Sequence, residues 1–508
     1  MQKNLAKVYS AELEGINARL IEVEVDLNVG LHAFNIVGLA DKALNEAKER
    51  VNSALKNAGV KPPNRENRKI TINLAPADVK KTGSQYDLAI ALGYLLSTGQ
   101  IKNFEAKDKI FLGELALDGR LRPIAGALNM AQLAKEEDFQ YLFLPEENAN
   151  EAAVVHGVKV IPIDNLQDAI DFLEERKEIS PAVFKVQHTR SSVVPDFSEI
   201  KGQENAKRAL TIAAAGGHNL LMIGPPGVGK SFLAQATVGI LPDLGREEAI
   251  EVTKIYSAAG LNPGGLIMSR PFRTPHQTAS LIAVTGGGTY PRPGEISLAH
   301  RGVLFLDEVP EFQKNILEAL RQPMEAGEVH VARAKGTLAF PAKFSLVAAM
   351  NPCPCGFYGD EEKECRCTAY EVIRYQKKLS GPMLDRIDLQ IKVPRVKIAE
   401  LRERKNLKPA SPEIKAQVER ARSIQAARFK NSKIRTNAEM SSKQTEDLVN
   451  LEPAAEDFLK TFDKTRLSPR GYYRLIKVAR TIADLEGKEG VSENHLAEAF
   501  SYRLREEM

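Results

Sequence analysis

The sequence predicts a multidomain α/β protein with an all-helical C-terminal part. Residues 1–175 alternate between strand-like and helical stretches, which is typical of an α/β domain. A glycine-rich loop at residues 224–231 follows an apolar run and precedes a helix, the arrangement expected at one edge of a parallel sheet. Beyond residue 395 helical stretches are separated by polar turns. The length of 508 residues suits about three such domains.

Changes in periodicity set the predicted boundaries. Residues 1–175 form the first α/β domain. Residues 176–196 show neither helical nor strand periodicity and are predicted to be a linker. Residues 197–394 are predicted to form the core that contains the glycine-rich loop, and residues 395–508 a helical lid.

Charge balance and apolar runs narrow the class of protein. Seventy basic and 66 acidic residues give a net charge of +4, which neither demands nor excludes nucleic acid. The longest clean apolar run, residues 88–96, is far shorter than the ~20 residues of a membrane-spanning helix. The N-terminus lacks the apolar core of a signal peptide. We therefore expect a cytoplasmic protein without membrane contact.

The glycine-rich loop predicts nucleotide binding. Its glycines let successive backbone N–H groups converge on phosphates, Lys230 can reach the β- and γ-oxygens, and the Ser231 hydroxyl can ligate Mg²⁺. The following helix presents its positive dipole end to the same charge. We expect ATP and Mg²⁺ to be bound by the whole motif, which consists of Gly224, Pro225, Pro226, Gly227, Val228, Gly229, Lys230 and Ser231.

Two acids end a later apolar run. Residues 303–306 are apolar and lead into Asp307 and Glu308, as expected for a neighbouring strand that delivers carboxylates to the same sheet edge. Asp307 would hold Mg²⁺, and Glu308 would orient the attacking water. Adjacent acids at a strand end also occur in solvated turns, but their combination with the phosphate-binding loop favours an ATP hydrolase.

Three further residues complete a recognisable series. Asn351 ends another apolar strand, Arg386 lies in Leu-Ser-Gly-Pro-Met-Leu-Asp-Arg, and Arg470 lies in Leu-Ser-Pro-Arg. The order of all these motifs resembles AAA+ ATPases, within them the magnesium-chelatase and MCM-helicase branch, which has an insert in helix 2 and a hairpin before sensor 1. The resemblance implies that Asn351 is sensor 1, Arg386 the arginine finger that reaches a neighbour's nucleotide, and Arg470 sensor 2. A guanidinium suits these tasks because it stays charged and can contact two phosphate oxygens.

The N-terminal domain carries a second resemblance. Residues 73–91 and 112–126 resemble the Lon-protease-like domain, which implies an S5-type α/β fold. Lon enzymes use a serine nucleophile and a lysine base, whereas Asp87 and Leu128 stand at those positions here. A carboxylate cannot be activated by such a lysine to attack a peptide, so a non-proteolytic binding platform is expected.

Together the two resemblances cover nearly the whole chain. A chain with both domains resembles the ComM/YifB family of bacterial helicases. This likeness implies a hexameric homo-oligomer that uses ATP for branch migration on single-stranded or branched DNA, in recombination and natural transformation. Two alternatives stay open. One is a magnesium-chelatase-like motor subunit that acts on a protein partner, and the other is a non-proteolytic Lon-like scaffold that ATP switches. DNA-stimulated ATP hydrolysis would separate the three.

Two segments offer DNA contacts. Between the two nucleotide motifs lie glycine- and proline-rich loops whose cations suit phosphate contacts without base readout, namely Arg270, Arg273 and Arg292. Residues 327–338 alternate apolar and polar residues about a Lys-Gly turn, which predicts a hairpin with His330, Arg333 and Lys335 on or near its tip. A solvated hairpin with ordinary charges is the alternative.

All four cysteines lie in one window of fifteen residues, as Cys353, Cys355, Cys365 and Cys367. Four thiolates can close a tetrahedral Zn²⁺ site, which would replace the apolar core that this short polar loop lacks. Such a closed site would be structural. Free thiols or a redox pair are the alternative, and the Cys-x-Cys spacing is less common than Cys-x-x-Cys in zinc sites.

Overall fold

The computed structural model describes most of the chain, namely residues 5–39, 41–65, 68–185, 194–262, 264–333, 336–396, 410–430, 432, 434–461 and 468–503. The chain divides into two compact units. The first comprises Met1–Thr189, Arg246–Ile267 and Pro291–Pro293, and the second comprises Arg190–Gly245, Met268–Tyr290 and Gly294–Met508. The predicted four-segment boundaries stay a prediction. Among the described residues, no helix has the length and apolarity needed to cross a membrane.

Strands are numbered in chain order. They are β1 Leu5–Glu14, β2 Asn17–Val29, β3 Ala33–Val37, β4 Arg68–Ala75, β5 Lys109–Phe111, β6 Glu114–Leu115, β7 Leu121–Arg122, β8 Tyr141–Pro145, β9 Lys159–Ile163, β10 Leu220–Ile223, β11 Phe272–Arg273, β12 Gly286–Gly287, β13 Arg292–Pro293, β14 Val303–Leu306, β15 Glu328–Arg333, β16 Gly336–Pro341, β17 Ser345–Met350 and β18 Leu389–Lys392.

Helices are given by their bounds. The first unit contains Lys42–Asn45, Ala47–Asn57, Asp87–Thr98, Ala127–Glu136, Glu146–Ala152, Leu166–Leu173 and Arg246–Ala259. The second unit begins with Glu204–Gly216, Lys230–Ile240, Leu281–Thr285, Glu295–Leu298, Lys314–Ala319, Pro323–Ala326, Ala369–Gln376 and Gly381–Leu384. It ends with Ser411–Arg428, Ser442–Leu448, Pro453–Thr461, Pro469–Leu485 and Glu493–Ser501.

The first unit is built on a seven-stranded mixed sheet with the order β3-β4-β2-β1-β5-β8-β9. β1–β2 and β2–β4 are antiparallel, whereas the remaining neighbours are parallel. In β2 every second side chain from Ile21 to Leu27 is buried, because one face of the strand packs on the core. The helix Asp87–Thr98 is mostly apolar and lies in that core.

A helix from the middle of the chain belongs to this first unit. Arg246–Ala259 follows the phosphate-binding helix in sequence, yet its backbone carbonyls accept hydrogen bonds from the helix Ala127–Glu136 and its N-cap. Asn129 Nδ2 donates to Lys254 O at 3.2 Å. Gly126 N donates to Ser257 O at 2.9 Å. The amphipathic pattern of this helix predicts a buried face but not which unit buries it.

The second unit contains a five-stranded parallel sheet with the order β11-β14-β17-β10-β18. All four residues of β10 and of β14 are buried, as expected when helices cover both faces of a parallel sheet. The strand that precedes Asp307, β14, was predicted to be a neighbour of β10, but this was wrong because β17 lies between them. Since the carboxyl ends of parallel strands meet at one edge, the residues that follow β10, β14 and β17 still lie near one another.

The helical C-terminal part shares the core of that second unit. Leu475 from Pro469–Leu485 and Ala421 from Ser411–Arg428 belong to the same buried cluster as Leu220 and Leu233 of the sheet and the phosphate-binding helix. A mixed α/β protein with a parallel sheet and a helical C-terminus is thus confirmed. The S5-type, Lon-like identity of the first unit stays a prediction.

Candidate nucleotide and metal sites

The loop at residues 224–231 joins β10 to the helix Lys230–Ile240 as predicted. Gly229 has a φ of +85°, a left-handed conformation that favours glycine. At Gly224 a side chain is excluded because a Cβ would lie 2.2 Å from Val393 O. These positions explain why the loop is glycine-rich.

Lys230 lies under this loop with neutral hydrogen-bond partners. Its Nζ donates to Gly224 O at 2.6 Å, to Pro225 O at 2.9 Å and to Asn351 Oδ1 at 3.0 Å. Burial lowers the pKa of Lys230, while the carboxylate of Asp307 acts in the opposite direction. The predicted sensor 1 residue and the loop lysine are therefore in direct contact.

Ser231 and Asp307 also meet. Ser231 Oγ donates to Asp307 Oδ2 at 2.7 Å. Two adjacent ligands of an octahedral Mg²⁺ ion with ~2.05 Å bonds lie about 2.9 Å apart, so this pair of oxygens fits the ion. The next residue, Glu308, has a φ of +49°, which is strained for a residue with a side chain. Strain of this kind is common at functional sites, where the surrounding structure holds it.

The two predicted phosphate-binding arginines share one acid that the sequence did not indicate. Arg386 Nη2 lies 2.8 Å from Glu325 Oε1, and Arg470 donates to the same oxygen. Burial would raise the pKa of Glu325, but the hydrogen bond from Arg386 and the charge of Arg470 hold it below its ordinary value. Arg386 Nε also donates to Arg321 O at 3.2 Å. Within the chain, neither pair involves the phosphate-binding loop.

A cavity of about 450 Å³ lies beside the loop. The residues that line it are Glu199, Ile200, Lys201, Gln203, Pro226, Gly227, Val228, Gly229, Phe232, Leu233, Glu362, Arg395 and Val396. Its position next to the phosphate-binding glycines suits the base and sugar of a nucleotide. Residues 197–203 begin the predicted core but had no predicted role, and no sequence pattern indicated Glu362 or Arg395.

The four cysteines converge. Their sulfur atoms all lie within 4.8 Å of one another. Three of the separations are 3.4 Å for Cys353–Cys355, 3.7 Å for Cys353–Cys365 and 3.6 Å for Cys355–Cys365. Sulfurs arranged tetrahedrally about zinc at about 2.3 Å are about 3.8 Å apart, whereas a disulfide bond is about 2.05 Å long. The cluster therefore fits a four-coordinate metal ion and contains no disulfide.

Asp87 and Leu128 occupy buried positions in the first unit. Asp87 forms a two-pronged ion pair with Arg50, with N–O distances of 2.6 and 3.0 Å. Burial raises the pKa of Asp87 to about 6, although Arg50 opposes the shift. Leu128 is fully buried, and its backbone N donates to Glu151 Oε1 at 3.3 Å. An ion pair and a buried leucine offer no serine–lysine chemistry.

Two of the predicted DNA-binding arginines are engaged within the second unit. Arg270 donates from Nε to Pro242 O at 2.6 Å and from Nη1 to Arg301 O at 2.7 Å. Arg273 makes two 2.6 Å hydrogen bonds to Glu295. These contacts give both arginines a structural role within the chain, and their contact with DNA stays a prediction.

The other residues predicted to contact DNA lie partly outside the described residues. Arg292 is exposed in β13. β15 and β16 form the predicted antiparallel hairpin, in which His330 has a side chain that is 40% exposed. The side chain of Arg333, at the end of β15, and the whole of Lys335 lie outside the described residues.

Three family models match the chain. The model described as "Magnesium chelatase, subunit ChlI" matches residues 196–401. The one described as "Subunit ChlI of Mg-chelatase" matches residues 23–148. The C-terminal model of the same subunit matches residues 408–503.

Several curated proteins are similar to the chain over its length. Competence protein ComM of Haemophilus influenzae is 43% identical over 98% of this chain and 97% of its own. The Escherichia coli protein YifB, described as uncharacterized, is 42% identical over 98% of this chain and 97% of its own. The magnesium-chelatase 38 kDa subunit of Rhodobacter capsulatus is 25% identical over 64% of this chain and 94% of its own.

Proposed function

The chain belongs to the ComM/YifB family of magnesium-chelatase-like proteins, and from that premise we propose that it is an ATP hydrolase that drives a DNA motor. The observation that carries the ATPase proposal is the meeting of Lys230, Ser231, Asp307 and Asn351 at one edge of the parallel sheet. These four residues come from three separate segments of sequence. Binding of a metal-bound triphosphate requires such side chains to lie close together.

Each residue has a proposed task in hydrolysis. Lys230 binds the β- and γ-phosphate oxygens, and the backbone N–H groups of the loop bind the remaining phosphate charge. Ser231 and Asp307 would hold Mg²⁺, which neutralises charge that develops on the phosphates. Glu308 orients the attacking water and accepts its proton. Asn351 holds that water, or the γ-phosphate, beside Lys230.

We propose that the active protein is a homo-oligomeric ring, with a hexamer as the expected form. Arg386 and Arg470 would then complete the nucleotide site of a neighbouring copy. Their pairing with Glu325 rather than with the phosphate-binding loop of the same chain supports this arrangement. Guanidinium groups supplied across an interface are a common way to stabilise charge in phosphoryl transfer.

The proposed substrate of the motor is single-stranded or branched DNA. The support is the name of the Haemophilus relative, a competence protein, together with the exposed hairpin that carries His330 and ends in Arg333. Backbone phosphate contacts from the hairpin and Arg292 would bind DNA without reading its sequence. The proposed roles are branch migration in recombination and natural transformation, in the cytoplasm.

DNA-stimulated ATP hydrolysis tests this proposal. The full chain is assayed with a four-way junction, with single-stranded DNA and without DNA, and junction conversion is followed on a gel. Stimulation of hydrolysis and ATP-dependent junction conversion are expected. ATP hydrolysis that no DNA alters, without junction conversion, would refute the DNA motor while leaving the ATPase proposal intact.

The magnesium-chelatase relative favours a second candidate, a motor subunit that acts on a protein partner. That relative aligns over 94% of its own length yet over only 64% of this chain, so much of this chain has no counterpart in it. Hydrolysis that depends on chelatase partner subunits instead of DNA would favour this candidate. For the first unit we propose a non-proteolytic, Lon-like binding platform, and the absence of peptidase activity would be consistent with it.

At the four cysteines we propose a structural zinc ion. Four thiolates within 4.8 Å give the tetrahedral sulfur set that zinc prefers, and they leave no position open for a substrate. Measurement of bound zinc in the purified chain tests this assignment. One zinc per chain is expected, and a metal-free protein with four reactive thiols would refute it.

A further inference from the structure

The loop that carries the cysteines lies directly against the nucleotide site. A Cβ placed on Gly356 would lie 2.6 Å from Pro226 Cδ, so the backbone of the cysteine loop packs on the phosphate-binding loop itself. At the start of the cysteine loop, Pro352 O accepts a hydrogen bond from Gln376 Nε2 at 3.0 Å. Asn351, whose side chain contacts Lys230, comes immediately before. The sulfur cluster and the phosphate site are therefore joined by a few residues.

Asp360 links the cysteine loop to a cation at the pocket. Its side chain is only 3% exposed. One oxygen accepts from the backbone N of Glu362 and of Lys363, at 2.9 and 3.0 Å. The other accepts from Arg395 Nε at 2.9 Å. The guanidinium of Arg395 also lies over the ring of Phe357, 5.5 Å from its centre. Asp360 thus fixes both the turn of the loop and the direction of Arg395.

The same contacts supply part of the pocket wall. Arg395 and Glu362 both line the cavity beside Pro226 and the glycines that follow it. Their charged groups lie 3.7 Å apart. An ordered side chain in the pocket wall favours binding of the base and sugar, whereas a mobile side chain must first lose conformational entropy. The position of Arg395 should therefore affect nucleotide affinity.

The middle of the cysteine loop, between these contacts, is exposed to solvent. Residues 361–364 are all exposed, and Cys353 is the fully buried side chain among the four thiols. A short polar segment of this kind cannot offset its loss of conformational entropy by apolar burial. A metal ion bound by four thiolates can do so, because metal binding and folding are then one process.

We propose that the four-cysteine site is a metal-dependent support of the nucleotide pocket. Zinc fixes the loop, the loop fixes Asp360 and Glu362, and Asp360 holds Arg395 at the pocket wall. Nucleotide affinity then depends on zinc although the metal contacts no nucleotide. This inference rests on the zinc and ATP binding proposed above.

The first experiment measures nucleotide affinity with and without zinc. The full chain is titrated with mant-ADP in excess Mg²⁺ and reductant, first as purified, then after a zinc-selective chelator, then after zinc sulfate is returned. Removal of zinc is expected to raise the Kd at least about ten-fold, and return of zinc should restore it. A Kd that changes less than two-fold in a chain that loses one zinc would overturn the inference.

The second experiment breaks the link while keeping the metal. Asp360→Asn should retain one zinc per chain yet weaken mant-ADP binding about three- to ten-fold, because Arg395 loses the buried carboxylate that accepts its hydrogen bond. Glu361→Gln is the matched control, since it removes a neighbouring exposed charge that does not line the pocket. Equal Kd values for Asp360→Asn and Glu361→Gln would also overturn the inference.

The outcomes separate this inference from those on which it depends. If Lys230→Ala binds mant-ADP as tightly as the unaltered chain, the nucleotide site is wrong. A purified chain that contains no zinc, and takes up none, removes the metal site itself. Zinc content of one per chain with zinc-independent affinity contradicts only the coupling.

Discussion

Lys230 and Arg386 are both cations predicted to contact nucleotide phosphates, yet their surroundings differ. Lys230 donates to two backbone carbonyls and an amide, all of them neutral groups, so hydrogen bonds orient its charge without cancelling it. Arg386 is paired with the carboxylate of Glu325, which Arg470 shares. A phosphate can therefore bind Lys230 without competing with an anion. At Arg386 a phosphate must compete with the carboxylate of Glu325. This competition suits an arginine that binds the nucleotide of a neighbouring copy only after assembly.

Removal of Arg386 should have the largest effect. Arg386→Ala subunits are expected to bind ATP normally but to lose about 10³-fold in kcat, the size of an arginine-finger effect. Mixed with Lys230→Ala subunits, they should regain part of the activity, because some interfaces then combine an intact loop with an intact arginine. Steady-state ATPase assays of each variant and of mixtures measure this. A full hydrolysis rate in Arg386→Ala would show that the arginine acts elsewhere.

The substitution Glu308→Gln tests the part of the proposed nucleotide site that one chain supplies by itself. Glu308→Gln should lower kcat at least about 100-fold while ATP binding stays unchanged, because the amide cannot accept a proton from water. Lys230→Ala is the comparison, since it should weaken binding itself. Equilibrium binding and single-turnover hydrolysis distinguish the two variants. Normal turnover in Glu308→Gln would refute its role.

The β15–β16 hairpin should affect DNA binding without affecting the nucleotide site. Neutralising Arg333 and Lys335 together should leave basal ATP hydrolysis intact and abolish junction conversion. DNA affinity should lose about 0.7–0.9 in log–log salt slope for each phosphate contact removed, without a change in sequence preference. Lys102→Ala with Lys107→Ala, two exposed cations of the first unit, serves as the control. If the hairpin variant shows unaltered DNA-stimulated hydrolysis and junction conversion, the hairpin is an ordinary solvated turn without a role in DNA binding.

The smallest expected effect concerns Glu325. Glu325→Gln removes the carboxylate that competes with phosphate, and partly exposed ion pairs are weak, so hydrolysis at low protein concentration should rise only about two- to five-fold. Glu318→Gln is the control because Glu318 pairs with Arg321 instead. The measurement is ATPase rate against protein concentration. A fall in kcat toward the value of Arg386→Ala would mean that Glu325 positions the finger rather than competing for it.

Local sequence patterns accounted for much of the candidate site. The phosphate-binding loop is contiguous, and its glycine positions follow from backbone geometry, as at Gly229. The contact between Ser231 and Asp307 could be anticipated because both follow strands predicted to end at the same edge of one parallel sheet, although these strands, β10 and β14, are not neighbours as predicted. The hairpin of β15 and β16 was predicted from the alternation of apolar and polar residues about a Lys-Gly turn. The helix Arg246–Ala259 was not among the predicted elements, and its place in the first unit is evident only from the structure.

What the sequence by itself determined is the set of local elements and the chemistry that they carry, because phosphate binding, strand alternation and a cysteine cluster each depend on residues close in the chain. Only the tertiary structure decided which charges meet. Glu325 and Arg470 are 145 residues apart, and Asp360 and Arg395 are 35 apart. A charged residue can pair with any opposite charge that packing brings near, and in a chain with 70 basic residues no local pattern selects one. The pairing of the arginines with Glu325 and the wall formed by Glu362 and Arg395 therefore appeared only once the core had fixed the positions of their backbones.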